Sequence, residues 1–375
     1  MYAVYHSKYQ EKLACRQNYQ EITLMTYSNY EILSKDIVVA KWMNNKLEVL
    51  NQDMLPFFLH HNQNADMWLK SRAIDYKRPN SRLLKKALRL KEKDDISTVL
   101  HVNGATITDT YWVRPIGSNL RYENIRFYKN HFAKLALDGS YKSFNYASRL
   151  KDTRTPELTN IGSFEKGWKL RENEWWLYKK ANHKEQFSEL FAYELGTSLG
   201  MNMAYYEKVD GYVRTPDFTK SASYNFEPAM SFMGDNEDYN DTVKALLKIC
   251  PDAVADFVKM IFLDAVIANP DRHTNNFGLL RDTSTGSIIS FAPLFDHNMA
   301  LIARGYPGKP RITDRLISLF NDFMKNHPEY SKFIPSIYEE TVIMVLDKIN
   351  MKVKKQDIIN LVMGRYRFIR QDRDE

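Results

Sequence analysis

Apolar and polar residues alternate along three runs within residues 21–50, EITLMTY, DIVVAKW and KLEVL, which is the pattern of strands with one buried face. Helical spacing follows in MLPFFLHHNQNADMWLKSRAI and NSRLLKKALRL. From about residue 100 to 230 the pattern is mixed: TYWV, WWLYKKA, GYVRTPDF and NFEPAM read as strands, whereas KEQFSELFAYELGTSLGM spaces its apolar residues as a helix does. Beyond about 238 the chain turns mainly helical, through TVKALLKICPDAVADFVKMIFLDAVIA, DRLISLFNDFMKN, EETVIMVLDKINM and QDIINLVMGRYRFIR. One break interrupts that region, the polar stretch NPDRHTNNF at residues 269–277, set between an apolar helix and the strand-like FGLL. A small sheet with one helix, followed by a helical lobe, predicts an α+β chain with a cleft at the junction, where ligands commonly sit. The expected division is an N-terminal accessory region over 1–150, a sheet-bearing lobe over 151–230 and a helical lobe over 231–375.

Composition narrows the picture. With 375 residues, 44% of them hydrophobic and 13% aromatic, the chain can bury a large core. The net charge of +7 helps attract phosphate-bearing partners without identifying a nucleic-acid binder. The two cysteines, Cys15 and Cys250, form no CxxC and no disulfide framework, which fits a reducing compartment. No apolar run reaches the roughly 18 residues of a bilayer span, and MYAVYHSKYQEKLAC lacks a secretory core. A soluble, cytoplasmic chain is therefore expected. The basic segment at residues 77–93 reads as a solvated helix with a leucine face, so direct nucleic-acid binding is not expected. Trp175 and Trp176 read as sheet packing, and His273 as a structural residue of its loop. HExxH, GxSxG and GxGxxG are absent.

The chemistry concentrates in the polar stretch. Asp271 and Asn276 lie five positions apart, and Asp296 closes a later apolar run in FAPLFDHN. Two short strands flanking a turn, FGLL and IISFAPLF, would return the chain and set Asp296 beside Asn276. Such oxygen donors suit Mg²⁺, which usually bridges to nucleotide phosphates, and an Asp left off the metal can take a hydroxyl proton. Upstream, Lys179 or Lys180 lies on a strand, and Glu189 on the next helix can brace it. Strand alternation sends only one of the two lysines to the cleft. IGSFEKGW spaces Gly162 and Gly167 as GxxxxG, but Trp and Lys follow, so it is not the phosphate loop of an NTPase. A glycine loop between two strands is the form it would take.

Taken together, TPELTNIGSFEKGW, WWLYKK, FSELFAYELG, DRHTNNFGLL and APLFDHN resemble the HipA-like serine/threonine kinases, over roughly residues 100–300. The resemblance implies a two-lobed protein-kinase-like fold, ATP and Mg²⁺ as cofactors, and a protein substrate. It implies Asp271 as the catalytic Asp, Asn276 and Asp296 as metal ligands, and Lys179, braced by Glu189, as the phosphate-binding lysine. The loop at Gly162 and Ser163 would cover the nucleotide, and the backbone of NFEPAM, at Glu227 and Ala229, would read adenine. It further implies autophosphorylation at Thr159 or Ser163 and a small DNA-binding antitoxin as partner. Two features depart from typical eukaryotic kinases. Asp-His-Asn replaces Asp-Phe-Gly, and DRHxxN is similar to phosphoinositide kinases, so a lipid or small-molecule kinase is the alternative enzyme. A nucleotide-binding pseudokinase scaffold is the alternative outside catalysis.

Overall fold

The computed structural model describes residues 29–90, 94–306 and 314–374, with side chains as far as 369. The expected strand EITLMTY and Cys15 lie outside the described residues. Three antiparallel sheets, the helices between their strands and a mainly helical C-terminal lobe make up the described chain.

The first sheet consists of β1 (Asn29–Ser34), β2 (Ile37–Met43), β3 (Lys46–Val49) and β4 (Tyr111–Pro115), in the order β3-β2-β1-β4. Sequence alternation does not reveal β1. Its register shifts between Ile32 and Leu33, and both of these consecutive residues are buried, which breaks the two-residue period. The long helical pattern after β3 is two helices, Phe57–His61 and Ala65–Ser71. Asn64 starts the second by accepting from the Met67 amide at 3.0 Å, a side-chain cap that resets the chain direction.

The second sheet orders β5 (Lys166–Arg171), β6 (Glu174–Lys180), β8 (Tyr212–Pro216) and β7 (Glu207–Val209) as β5-β6-β8-β7. The helix His183–Ser198 follows β6 and opens with a capping box between Asn182 and Glu185. The accessory region and this sheet share one core, in which Trp112, Leu158, Trp168 and Trp175 cluster. Gly167 belongs to that packing and not to a loop. It lies within β5, where an added Cβ would come within 2.9 Å of the Ala133 carbonyl oxygen on the helix Ala133–Asp138.

β9 (Tyr224–Pro228), β10 (Gly278–Asp282) and β11 (Ile288–Phe291) form the third sheet, in the order β11-β10-β9. NFEPAM therefore pairs with the strands around the polar loop and not with β5–β8. The helical lobe packs around Phe257, Phe262, Phe320 and Phe323. Its first apolar run divides into Tyr239–Ile249 and Ala253–Val266, the break falling at Cys250 and Pro251. The accessory region grips β9 directly. Asn225 Oδ1 accepts from the Thr110 amide at 2.8 Å and its hydroxyl at 2.9 Å, and the Phe226 amide donates to the Thr108 carbonyl at 2.9 Å.

Candidate active site

On β6, alternation turns Lys179 inward, with 5% of its surface exposed, while Lys180 faces solvent and pairs with Glu165 at 3.0 Å. The Lys179 ammonium donates to Asp296 Oδ1 at 2.6 Å, to the Tyr206 hydroxyl at 3.2 Å and to Glu189 Oε2 at 3.4 Å. Burial alone would lower its pKa, but Asp296 and Glu189 outweigh burial and hold it well above the usual lysine range. Burial opposes ionisation of Asp296 as well; Lys179 and Lys166 overcome it and hold that carboxyl below the ordinary range. Glu189, fully buried, receives the His297 backbone amide at 2.9 Å, so the residue after Asp296 is fastened to the helix below the sheet. His297 itself is buried, and burial together with Arg272 pushes its ring down to about 3, leaving it neutral. It fills the place beside the metal-candidate Asp as a packed, uncharged side chain.

The polar loop between the helix Ala253–Val266 and β10 is ordered by Arg272. This guanidinium pairs with Asp264 at 2.7 Å and donates through Nη1 to two carbonyls, Asn276 at 2.6 Å and Phe295 at 2.8 Å. One side chain thereby ties the segment before β10 that carries Asn276 to the segment beyond β11 that leads into Asp296. Asn276 Nδ2 donates to the Asp271 carbonyl at 3.0 Å, which directs its Oδ1 away from the loop backbone. Asp271 is partly exposed to the cavity, and burial followed by the charge of Asp296 raises its pKa. His273 accepts from the Asn275 amide at 3.3 Å and lines the same cavity.

The glycine loop occupies residues 160–165, after the 3-10 turn Pro156–Thr159 and before β5, and so is not flanked by two strands. Gly162 has φ +112°, a conformation that glycine adopts without strain. Ser163 is exposed on the loop, whereas Thr159 is buried and its hydroxyl donates to the Ala105 carbonyl at 2.6 Å. Two cations beneath the loop were not singled out from sequence. Lys166 stands opposite Lys179 in the β5–β6 register, on the same face of the sheet, with its ammonium under Gly162. Burial pushes that ammonium down to about 7; Arg78 and Lys179 add to the effect against the pull of Asp296. Arg78, from the basic segment expected to stay solvated, is buried instead. It pairs with Glu157 at 3.3 Å and donates to the carbonyls of Asn160, at 3.0 Å, and Lys166. The cross-strand position of Lys166 was the available signal; for Arg78 there was none.

Ala229, the residue after β9, departs from its expected role. The Ala229 amide donates to the Phe277 carbonyl at 2.9 Å, its carbonyl accepts from Phe232 and Met233, and the residue is fully buried. Both of its backbone groups are engaged, leaving none to read a base. The Glu227 side chain is also engaged, with Arg281 at 2.8 Å and Tyr111 at 2.9 Å, although the residue lines the cavity.

Lys166, Lys179, Asp271, Asn276, Asp296, Gly162, Ser163 and Glu227 thus border one cavity of about 230 Å³. Its donor set suits a hard divalent cation. Asp296 is ionised, Asn276 has its amide nitrogen anchored with the oxygen directed elsewhere, and the two lie in the segments just before β10 and beyond β11.

Residues 152–345 match the model of the HipA-like C-terminal domain family. No curated protein matches the chain. Among solved structures, the Helicobacter pylori proinflammatory kinase CtkA is similar with a TM-score of 0.41 and 19% identity, over 53% of this chain and 89% of that one. HipA of Shewanella oneidensis MR-1, solved with HipB and operator DNA, is similar with a TM-score of 0.48 and 11% identity, over 92% and 89% of the two chains. The family match covers more than half of the sequence and contains every residue of the lysine, loop and metal-candidate set described above, and the chain belongs to the HipA-like C-terminal domain family.

Proposed function

We propose that this protein is an ATP- and Mg²⁺-dependent kinase that transfers the γ-phosphate to a serine or threonine hydroxyl of a protein. The observation that carries the reading is the convergence of a buried, charged Lys179 with Asp296, Asn276 and a partly exposed Asp271 in one cavity. Phosphoryl transfer needs positioning and charge neutralisation more than covalent chemistry. Lys179 and Lys166 supply two ammonium groups under the glycine loop for the phosphates. Asp271, raised in pKa by burial, orients the acceptor hydroxyl and takes its proton as the acceptor oxygen bonds to the γ-phosphorus and the bond to the β-bridging oxygen breaks, releasing ADP. Asp296 and Asn276 would hold Mg²⁺, which neutralises charge on the β- and γ-phosphates.

In this reading Ser163 is the self-modified residue; burial of the Thr159 hydroxyl and its bond to the Ala105 carbonyl support that choice. A phosphate on Ser163 would add close to two negative charges where those of ATP should lie. The small DNA-binding antitoxin belongs to the same proposal, with co-purification from the native host as its check. Among the described residues no helix is long and apolar enough to cross a membrane.

Incubation with γ-labelled ATP and cell lysate, followed by mass spectrometry, tests the reading. A labelled protein supports it; label in lipid or a small molecule, or none, overturns the protein-kinase assignment. Asp271→Asn should lower transfer on the order of 10²-fold or more while leaving ATP affinity nearly intact. Near-normal turnover would remove Asp271 from its role.

A further inference from the structure

One buried polar group at this site has no partner. Asn298, two residues beyond Asp296, is 3% exposed, lines the cavity, and its Oδ1 is buried without a hydrogen bond among the described residues. Leaving an amide desolvated and unpaired costs about 1–3 kcal/mol, so such groups in folded proteins are generally satisfied by something bound in the working state. What surrounds the cavity here identifies that partner by charge. Asp296, Asn276 and Asp271 line the same cavity and carry acceptor oxygens, one of those on Asp296 being taken by Lys179. Asp296 takes φ +66°, a strained value for a non-glycine residue, which turns the chain so that Asn298 returns to the cavity wall two residues later. The intervening His297 is fixed by its amide to Glu189, which holds this turn in place.

We propose that Asn298 is a third protein oxygen donor for the divalent cation held by Asp296 and Asn276. The inference rests on the kinase reading for the presence of a cation. Mg²⁺ takes six oxygens in near-octahedral geometry and is usually given few protein ligands in nucleotide sites. A third, neutral donor raises affinity without adding negative charge that would repel phosphate. It also explains chemically why Asp-His-Asn stands at this turn: an amide at the third position offers an oxygen, which glycine cannot.

The experiment is Mn²⁺ titration of the ligand-free full chain, followed by electron paramagnetic resonance, with a non-hydrolysable ATP analogue binding measured separately in EDTA. Wild type should bind Mn²⁺, and Asp296→Ala should abolish that binding. If wild type binds none with or without the analogue, the cation site itself fails and this inference with it. Given a functioning site, Asn298→Ala should weaken Mn²⁺ on the order of tenfold or more, since even outer-shell partners of metals are worth about 10–100-fold. Asn298→Asp, nearly the same shape and still an oxygen donor, should retain or tighten Mn²⁺ binding, and analogue affinity in EDTA should be unchanged in Asn298→Ala. Wild-type Mn²⁺ affinity in Asn298→Ala overturns the inference while leaving the kinase reading in place. Loss of analogue binding in EDTA also overturns it, by showing that the amide serves phosphate. The aspartate variant guards against misfolding as an explanation of the alanine result.

Discussion

Two lysines directly opposite each other on neighbouring strands repel, and the chain accommodates them by giving each a different electrostatic setting. Lys179 has Asp296 and Glu189 within 3.4 Å and stays charged; Lys166 has no ion-pair partner so close among the described residues, and burial pushes it down to about 7 against the pull of Asp296. In the free protein Lys166 is therefore charged below about pH 7 and neutral above it. Under the proposed function, bound phosphates would favour the ammonium and raise its pKa, so nucleotide binding would take up a proton once the pH exceeds the free-state value. Affinity for an ATP analogue should accordingly be greatest below about pH 7 and fall as pH rises through the interval between the free and bound pKa values. Calorimetry from about pH 6 to about pH 9 checks this. In Lys166→Arg, whose guanidinium does not titrate in that range, the slope should disappear. A wild-type slope that persists in the arginine variant would assign the proton to another group.

Among the elements, β5 is pressed closely against a neighbouring helix. It carries Lys166 at its start, and Gly167 next to it lets the helix Ala133–Asp138 approach so closely that a methyl group would sit 2.9 Å from the Ala133 carbonyl oxygen and 3.2 Å from Leu137 Cγ. Gly167→Ala should destabilise the protein by about 1–3 kcal/mol through overpacking, read as a lowered denaturation midpoint at unchanged slope. The same substitution should weaken nucleotide binding, because relief of the clash displaces β5 and with it Lys166. An unchanged midpoint would mean that the helix yields at no cost. The glycine spacing that draws attention in the sequence thus has two separate causes: Gly162 supplies a positive φ in the loop, and Gly167 supplies room for a helix.

At the scale of the whole molecule, the accessory region is joined to the lobes through a buried ion pair. Arg281 on β10 pairs with Glu227 on β9 at 2.8 Å, both almost fully buried, and donates to the Leu55 carbonyl at 2.9 Å and to the Asp53 carbonyl. Tyr111 and the Phe57 amide donate to the same Glu227 carboxylate, at 2.9 and 3.3 Å. Three segments therefore depend on one charge pair. Arg281→Leu leaves Glu227 buried and unpaired and should cost about 3–5 kcal/mol. Limited proteolysis should then cut first between the accessory region and β9. The double variant Arg281→Leu with Glu227→Leu should recover much of the loss, since replacing both partners removes the uncompensated charge. Equal instability of the single and double variants would show that the carbonyl contacts of Arg281 matter more than its charge.

Local periodicity was enough to identify most elements and the polar stretch at residues 269–277, because a strand or helix records its buried face in the spacing of its own apolar residues. It failed where that spacing was locally broken, as at β1 with its bulge and at the Asn64 cap that divides one helical pattern into two. Alternation on β6 also ensured that Lys179 and Lys180 face opposite ways. Which of them enters the cleft was decided by tertiary structure, through the helix carrying Glu189 and the turn carrying Asp296. Tertiary structure alone placed β9 with β10 and closed the backbone groups of Ala229, because strand pairing is settled by partners some fifty residues away. Burial of Arg78, the lowered Lys166 and the unpartnered Asn298 have the same origin. Hydrogen bonding and charge at these positions depend on residues distant in the chain, so no pattern around Arg78 or Asn298 records them, and for Lys166 the cross-strand pairing gives its place but not its lowered pKa.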